Sequence, residues 1–555
     1  FVNSDIQTVA KHPNTGWLTT ASTTGSAITN SWIGTQTAGA LTGATVVFRS
    51  SPWSWEAEVV SSHSGSSISF PASNYAGNLS NGSWANAGWG FAVKDKLSLL
   101  DTAGEWYYNK TSGELYFWAP ASANPNSLNV SISTKDTGLS IGWQRTDVKV
   151  KNLVFEGFNL TGFFHPSGEG DMKRVVVENN EIRNTPTGIR MYTTNGNSSA
   201  LANTIRNNYI HNIHSEGIYM QGGNGHLVEG NVLRDIGNDA QLGAKPEDWN
   251  FFGIRVVDGN SNYTLRRNTV ENIGYIGIVA GGSGLITENI VSNPGDILND
   301  GGGIAIDHTD GLSVTKNVIK NIGYDMSTMP ALYQGYGPIA NAFYFGDTNI
   351  QNTTVAENII TNVIGSGIWM DHSTTYTGNV VRDNIVHDFG QSGIGFSDYS
   401  NYKNTSCTAP SSNSACFMAQ YNDVVTGNKI YATRASATPL TKLYVYSNGT
   451  GAVADFGTVD NNYYYNPFTT TKVKTTRNFG GGTNTYTFPQ WLAASNEDDN
   501  STYSNYTTTS ANVAEIFYNE TSSAITQTVN GCNANGTPLT GTQTIQPFRA
   551  LVVEY

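Results

Sequence analysis

The chain is poor in charge, in cysteine and in long apolar runs. Only 13% of its 555 residues are Asp, Glu, Lys or Arg, against roughly 25% in soluble globular domains. Its 30 basic residues form no cluster and the net charge is −13, which argues against a nucleic-acid partner. We expect no membrane span, because no run of about eighteen apolar residues occurs. Three cysteines are too few for a disulfide framework. They form no C-x-x-C pair, which argues against a cysteine-based zinc site.

Turn-forming residues take the place of charge. The chain has 59 glycines and is rich in Asn, Thr and Ser, while 38% hydrophobic residues are too many for a disordered chain. This mixture predicts short strands separated by tight turns. Cys407 and Cys416 are spaced to close one loop, which would leave Cys532 unpaired. Few cysteines and a start at Phe1 without methionine suit a secreted, periplasmic or cell-surface protein whose leader has been removed.

A repeat runs through the middle of the chain. Each unit has an apolar pair, an Asn, an aliphatic residue, a short turn and a Gly-Ile strand, as in VVVENNEIRNTPTGIRMY and TVAENIITNVIGSGIWMD. The repeated asparagines are Asn180, Asn208, Asn231, Asn268, Asn289, Asn317, Asn358, Asn384 and Asn428. Their shorter spacings, 21 to 28 residues, predict an all-β fold, a right-handed parallel β-helix over residues 141–470. We interpret the asparagine column as structural, each side chain bonding to the next coil.

The longer spacings and the two ends complete the predicted organisation. Insertions are expected near residues 236–252, 323–341, 399–422 and 432–455, where they would wall a groove along one side of the solenoid. Residues 1–140 lack the repeat and are rich in aromatic residues. They predict a β-rich region that caps the open end of the solenoid. Residues 471–555 predict a small C-terminal β module, and we expect a monomer.

Two segments outside the repeat carry a family resemblance. VAKHPNTGWL, residues 9–18, resembles the ARxPNxGxL opening of large secreted bacterial β-helix enzymes that act on polysaccharides. GEWYYNKTSGELYFWAP, residues 104–120, resembles the GxWYxDxxxGxLYYWP segment of the same proteins. The group includes xylosidases, fucosidases, xylanases, fucanases and some lyases. The resemblance implies a carbohydrate-active β-helix and transfers no catalytic residue, so function is argued from the site.

The Gly-Ile pairs set a register for the outward side chains. Because alternate residues of a strand face opposite sides, the Ile points inward and the second and fourth residues after Gly point outward. These outward positions carry aromatic residues, which suit sugar rings, and arginine, which suits anionic groups. A face that only contacts water would be expected to carry small polar and charged residues. We expect a substrate groove lined by Arg190, Tyr192, Tyr219, Gln221, Arg255, Tyr344 and Trp369. For Arg190 and Arg255, recognition of a carboxylate or sulfate and pairing with a surface acid such as Asp258 both remain open.

Acidic residues and histidines gather at the ends of three adjacent Gly-Ile strands. The candidate catalytic residues are Asp307, His308, Asp347, Asp371 and His372. Coils stack about 4.8 Å apart, which puts Asp307 ~5 Å from Asp347 and ~9–10 Å from Asp371. The first separation suits a retaining glycosidase and the second an inverting one. Carboxylates this close do not all ionise normally, so one is expected to stay protonated as the acid, tuned or assisted by a histidine.

Two other interpretations of this cluster stay open. Asp residues near turns commonly cap strand ends. A divalent metal held by Asp307, His308, Asp371 and His372 is a further alternative, disfavoured because adjacent strand residues point opposite ways. We expect neither a metal nor another cofactor.

Three functions compete at this stage. The first is a secreted glycoside hydrolase acting on a polysaccharide, with anionic or sulfated polymers among the candidates. The second is a polysaccharide lyase on the same fold, which would need a Lys, Arg or Tyr base, and the central coils carry carboxylates and no Lys. The third is a non-catalytic glycan-binding adhesin, which explains the aromatic residues and not the acidic cluster.

Overall fold

The computed structural model shows short parallel strands wound into a β-helix, with smaller antiparallel sheets before and after it. It describes residues 1–24, 26–71, 87–142, 144–167, 170–193, 201–244, 250–257, 259–323, 340–346, 348–371, 376–397, 423–443, 457–469, 471–476, 483–495, 497–504 and 514–555. The predicted parallel β-helix is confirmed, because the Gly-Ile strands pair in parallel with one another from coil to coil.

Each coil contributes one strand to each of three faces, which we call A, B and C. Face A holds the Gly-Ile strands. Its strands are Thr137–Ser140, Thr161–His165, the later parts of Glu181–Tyr192 and Tyr209–Gln221, Phe252–Val256, the first parts of Ile276–Thr287 and Gly302–Thr315, Asn341–Phe345, Ile368–Met370, Ser392–Ser397, Thr438–Leu443 and Thr471–Thr476. Thr483–Thr487 adds one antiparallel strand to its end.

Faces B and C complete the coil. Face B consists of Lys149–Lys151, Val176–Glu178, Thr204–Arg206, Leu227–Glu229, Tyr263–Arg266, the later parts of Ile276–Thr287 and Gly302–Thr315, Thr354–Ala356, Val380–Arg382, Asp423–Thr426 and Gly457–Asp460. Face C consists of Val154–Glu156, the first parts of Glu181–Tyr192 and Tyr209–Gln221, Val232–Ile236, Thr269–Ile273, Ile290–Pro294, Val318–Ile322, Ile359–Val363, Ile385–Phe389, Lys429–Tyr431, Tyr463–Tyr465 and Thr502–Tyr503. Short strands also pair outside the three faces. Gly223–Asn224 pairs with Asn260–Ser261, and Ile350–Gln351 pairs both with Tyr376–Thr377 and with Thr309 and Asp310 of Gly302–Thr315.

The asparagine column is a ladder of buried hydrogen bonds at the turn between faces B and C. In each step the backbone N–H and the side-chain amide of one Asn donate to Oδ1 of the Asn in the next coil, as from Asn268 to Asn289 at 3.0 and 2.9 Å. The structural interpretation of all nine asparagines is therefore confirmed, and Asn462 extends the ladder by one step. The ladder satisfies backbone groups that the turn would otherwise leave buried without partners.

The N-terminal region contains three antiparallel or mixed sheets. Its strands are Thr8–Val9, Lys11–His12, Leu18–Thr19, Ser22–Thr24, Ala27–Thr29, Thr45–Ser51, Ser54–Val59, Ser62–Ser64, Ser67–Ser69, Gly90–Lys94, Glu105–Asn109 and Glu114–Phe117. Short 3₁₀ helices span Ile33–Thr35, Leu97–Leu99, Pro120–Ser122 and Pro125–Ser127. The capping role of this region, and the domain limits at residues 140 and 470, stay predictions.

After the last coils, the described residues form one helix and a four-stranded sheet. The helix Phe488–Ala494 begins with a capping box of Thr487 and Gln490, and it buries Trp491 in the core. The antiparallel sheet of Ala514–Tyr518, Ile525–Cys532, Pro538–Ile545 and Ala550–Glu554 packs against the outside of face C. A shorter helix, Ala240–Gly243, lies in the first predicted insertion. Within the described ranges no helix has both the length and the apolar character needed to cross a membrane.

Candidate functional site

Glycine begins the face A strands because the coils approach closely there. A Cβ atom on Gly217 would lie 2.5 Å from the carbonyl oxygen of Gly253 and 2.6 Å from a methyl group of Leu233. With Gly in place, the following Ile enters the core, and Ile189, Ile218 and the other residues of this column are fully buried. The predicted outward column is confirmed in register, and it runs Arg190, Tyr219, Arg255, Val279, Ala305, Tyr344, Trp369 and Gly395.

Asp307 and His308 form a hydrogen-bonded pair at the end of one face A strand. Nδ1 of His308 lies 2.7 Å from Oδ1 of Asp307. The expectation that adjacent strand residues point opposite ways fails here, because His308 has a left-handed φ of 50°. The backbone N–H of His308 donates to Oγ1 of Thr348 in the next coil at 3.0 Å. The left-handed turn therefore brings carboxylate and imidazole to the same side.

Asp371 lies two coils further along the same face. The hydroxyl of Tyr344, from the coil between, donates to Oδ2 of Asp371 at 2.9 Å. The pairing of Ile306 with Phe345 and of Phe345 with Met370 puts Asp307 and Asp371 in one column. Two strand spacings separate them by ~9–10 Å. Asp347 and His372, the other two predicted catalytic residues, lie outside the described residues.

Trp369 leans over the following coil instead of standing upright. A Cβ atom on Gly395 would collide with the indole ring of Trp369. The outward column is thus empty at Gly395 because the tryptophan occupies its space. The ring stays only half-buried, which leaves an apolar surface beside Asp371.

A second group on face A surrounds Glu216, a residue that the sequence-based prediction missed. Its side chain is completely buried between two arginines, with Arg190 at 3.2 Å and Arg255 at 3.4 Å. Glu216 thus provides the acid partner that was sought for these arginines in Asp258, which lies outside the described residues. One feature of the sequence could have identified Glu216. It is an acid in the position before Gly, where the neighbouring coils have Thr187 and Phe252.

Tyrosines complete this second group, which we call the arginine cluster. The guanidinium of Arg190 lies 4.7 Å from the ring centre of Tyr219 and 5.5 Å from that of Tyr192. The hydroxyl of Tyr219 donates to Oε1 of Gln221 at 2.9 Å. Burial raises the pKa of Tyr219 to about 12. The cluster carries two arginines and one glutamate, and so one excess positive charge.

The seven predicted binding residues therefore fall into two sets. Tyr344 and Trp369 lie beside the aspartates, while the arginine cluster contains the other five. Val279 and Ala305 separate the sets, and both are buried in a cluster with Trp55 of the N-terminal region. That all seven residues bind substrate stays a prediction.

The possible metal ligands and the three cysteines lie only partly within the described ranges. There, no group of three or more His, Cys, Asp and Glu side chains is placed to hold a metal ion. His372, one of the four residues in the metal alternative, lies outside these ranges, so that alternative stays a hypothesis. Cys407 and Cys416 also lie outside them, and Cys532 is a free, half-buried thiol.

Comparison with known proteins concerns the fold. No curated protein matches the sequence. A solved structure described as a glycoside hydrolase is similar with 13% identity and a TM-score of 0.43, over 70% of this chain and 77% of its own. A GH87 alpha-1,3-glucanase from Streptomyces thermodiastaticus is similar with 12% identity and a TM-score of 0.35, over 90% and 98%. An alginate lyase from Paenibacillus is similar with 13% identity and a TM-score of 0.26, over 65% and 92%.

The sequence itself matches one family profile. The profile of the family described as right-handed beta helix region matches residues 137–319 and 252–430, which together span more than half of the chain. The match begins at the first strand of face A and ends just after Asn428 of the asparagine ladder. It agrees with the parallel register described above. The chain therefore belongs to the right-handed β-helix family.

Proposed function

We propose that this chain is a secreted or cell-surface glycoside hydrolase that cleaves a polysaccharide on face A. One observation carries the proposal, namely the two carboxylates Asp307 and Asp371 in one outward column, each hydrogen-bonded to a different side chain. Their separation of ~9–10 Å lies at the upper limit of the ~6.5–9.5 Å range in which a water and a glycosidic bond fit between two carboxyl groups. That spacing favours inversion of the anomeric centre.

The hydrogen bonds suggest a role for each carboxyl group. Tyr344 donates to Asp371, which stabilises the charged form, so Asp371 acts as the base that activates water. Asp307 contacts a nitrogen of His308 that accepts a proton in one imidazole tautomer. We assign Asp307 as the acid that protonates the leaving oxygen. The half-exposed His308 exchanges protons with solvent and reloads it.

Aromatic side chains bind the sugar in this proposal. The half-buried rings of Tyr344 and Trp369 lie next to each other in register on adjacent coils. A sugar ring has an apolar C–H face that can stack on these aromatic rings. Ligand sites are commonly lined in this way, mainly by aromatic and apolar side chains with a few polar groups. Trp369 is assigned to the sugar nearest to the cleaved bond.

A polysaccharide lyase is the second candidate, and the arginine cluster is what favours it. A tyrosine beside two arginines resembles the base and the charge-neutralising group that β-elimination from a uronic acid requires. Burial raises the pKa of Tyr219 to about 12, which makes its phenol hard to deprotonate near neutral pH. This pKa favours the hydrolase.

One assay separates the candidates. Purified protein is incubated with neutral, uronic and sulfated polysaccharides, and new reducing ends and absorbance at 235 nm are followed. A hydrolase produces reducing ends alone, a lyase produces both signals, and a binding protein produces neither.

Two substitutions test the catalytic assignment. Asp307→Asn and Asp371→Asn keep the side-chain shape and remove the charge, so each is expected to lower kcat by about 10²–10⁴. Asp499→Asn, at an exposed position far along the chain from the site, is the matched control and should keep full activity. Near-normal rates in both site variants would remove these two residues from the mechanism.

A further inference from the structure

The N-terminal region docks on the β-helix at the start of the strand that carries Asp307. The hairpin of Thr45–Ser51 and Ser54–Val59 meets the turn that leads from face C into the Asp307 strand. The backbone N–H of Asn299 donates to the carbonyl of Pro52 at 2.9 Å. The indole N–H of Trp55 donates to the carbonyl of Ile297 at 3.3 Å. The hairpin is thus held at a defined place on the solenoid.

Face A is covered where this hairpin docks. Val279 and Ala305 occupy outward positions, yet only 1% and 4% of their surfaces are exposed. They share one buried apolar cluster with Val47 and Trp55 of the hairpin. An outward sheet position loses its water only when another layer packs over it, and the hairpin supplies part of that layer.

Partly exposed aromatic rings border the covered coils. Trp17 and Trp53 of the N-terminal region pack against the same cluster as Tyr344, and all three remain half-buried. The ring of Trp17 stacks on Trp55 at 4.1 Å. Trp17 is the penultimate residue of the VAKHPNTGWL segment, so this sequence motif contributes to the apolar cluster that covers face A.

We propose that the N-terminal region closes the groove next to Asp307, so that the protein cleaves its substrate from a chain end, with the terminal sugar held against Trp53. This inference rests on the proposed hydrolase function. The covered positions, Val279 and, on the Asp307 strand, Ala305, remove about 10 Å of the outward column, and a polymer lying along that column would have to cross that length. The covered positions lie between the arginine cluster and the Tyr344–Trp369 pair in this column, so one extended chain does not contact both sets.

The test follows the products formed from the polysaccharide that releases most reducing sugar in the panel, and from its hexasaccharide labelled with 2-aminobenzamide. Chain-end cleavage is expected to release only the smallest product from the first minutes, while viscosity falls slowly relative to new reducing ends. Early oligosaccharides of mixed length with a rapid loss of viscosity would overturn the chain-end inference and leave the hydrolase intact. Absence of any cleavage would overturn both proposals.

A substitution tests the wall itself. Trp53→Ala is expected to lower kcat/KM on the labelled hexasaccharide at least tenfold, mainly through KM, while Trp53→Phe keeps most of the activity. Trp118→Ala, at a tryptophan that is 42% exposed in the same region, is the matched control. If Trp53→Ala folds poorly, Trp53→Leu is measured in its place. An unchanged KM in a folded Trp53 variant would contradict the assignment.

Discussion

The hydroxyl of Tyr344 is the smallest unit of the proposed site that can be removed alone. Tyr344→Phe deletes the donor to Asp371 and keeps the aromatic ring. A hydrogen bond to a charged group contributes about 1.5–3 kcal/mol, so we expect kcat/KM to fall by about 10–100-fold with little change in the thermal midpoint. Tyr209→Phe, at a 39% exposed position on face C, is the control. Full activity of Tyr344→Phe would mean that the bond does not serve the reaction.

Asp423 makes the stability of the fold depend on pH. Its Oδ1 accepts the backbone N–H of Asn379 at 2.9 Å, and burial raises its pKa from 3.8 to about 7. The folded state therefore binds a proton that the unfolded chain has lost, so stability declines as pH rises from about 4 to 7 and stays lower above that.

Asp423→Asn keeps the acceptor and removes this titration. We expect a gain on the order of 2–4 kcal/mol at pH 8 and almost none at pH 4, measured as the difference in unfolding free energy from the parent. The parent also contains Glu554, whose pKa burial raises to about 7, so part of its pH dependence should persist in the variant. An equal effect at both pH values would show that Asp423 does not titrate in this range.

Truncation of one side chain in the asparagine ladder should cost a large amount of folding stability for the few atoms removed. Asn289 donates to Leu265 and Asn317 and accepts from Asn268, with every distance near 3.0 Å and no exposed surface. Asn289→Ala strands several buried polar groups at once. Because each costs about 1–3 kcal/mol, we expect a loss of roughly 3–5 kcal/mol in denaturant unfolding. Asn500→Ala, on an exposed Asn that bonds Asp460, should change stability by about 0.5 kcal/mol or less.

At the scale of the whole molecule, the C-terminal sheet covers apolar positions on the outside of face C. Phe548 packs with Val318 and Ile359, which are almost fully buried. An ion pair of Lys320 with Glu520 adds a polar contact at the same interface.

Phe548→Ala is expected to undock this sheet and leave the β-helix folded. Truncating a buried phenylalanine costs about 3–5 kcal/mol, and this loss falls on one interface. Limited proteolysis should then release the C-terminal sheet from the variant and not from the parent, with hydrolase activity retained because the proposed site lies on face A. Leu115→Ala, at a 40% exposed position, is the control. Loss of the whole fold in Phe548→Ala would show that the C-terminal sheet and the β-helix unfold as one unit.

The repeated features of this molecule were determined by the sequence alone. The asparagine ladder, the inward Ile column and the outward column recur because every coil gives its residues the same neighbours, one strand spacing above and below. A spacing of 21 to 28 residues therefore carries both the fold and the register. It also predicted that Asp307 and Asp371 share a column.

Tertiary structure decided what does not repeat. The helix Phe488–Ala494 was not predicted, although its TFPQ capping box was present in the sequence. The left-handed turn at His308 and the burial of Glu216 between two arginines depend on local backbone and on which coils become neighbours. The docking of the N-terminal hairpin joins Trp55 to Ile297, residues far apart in the chain. Such contacts leave no period in the sequence, because each is a single fit between two surfaces that only the folded chain brings together.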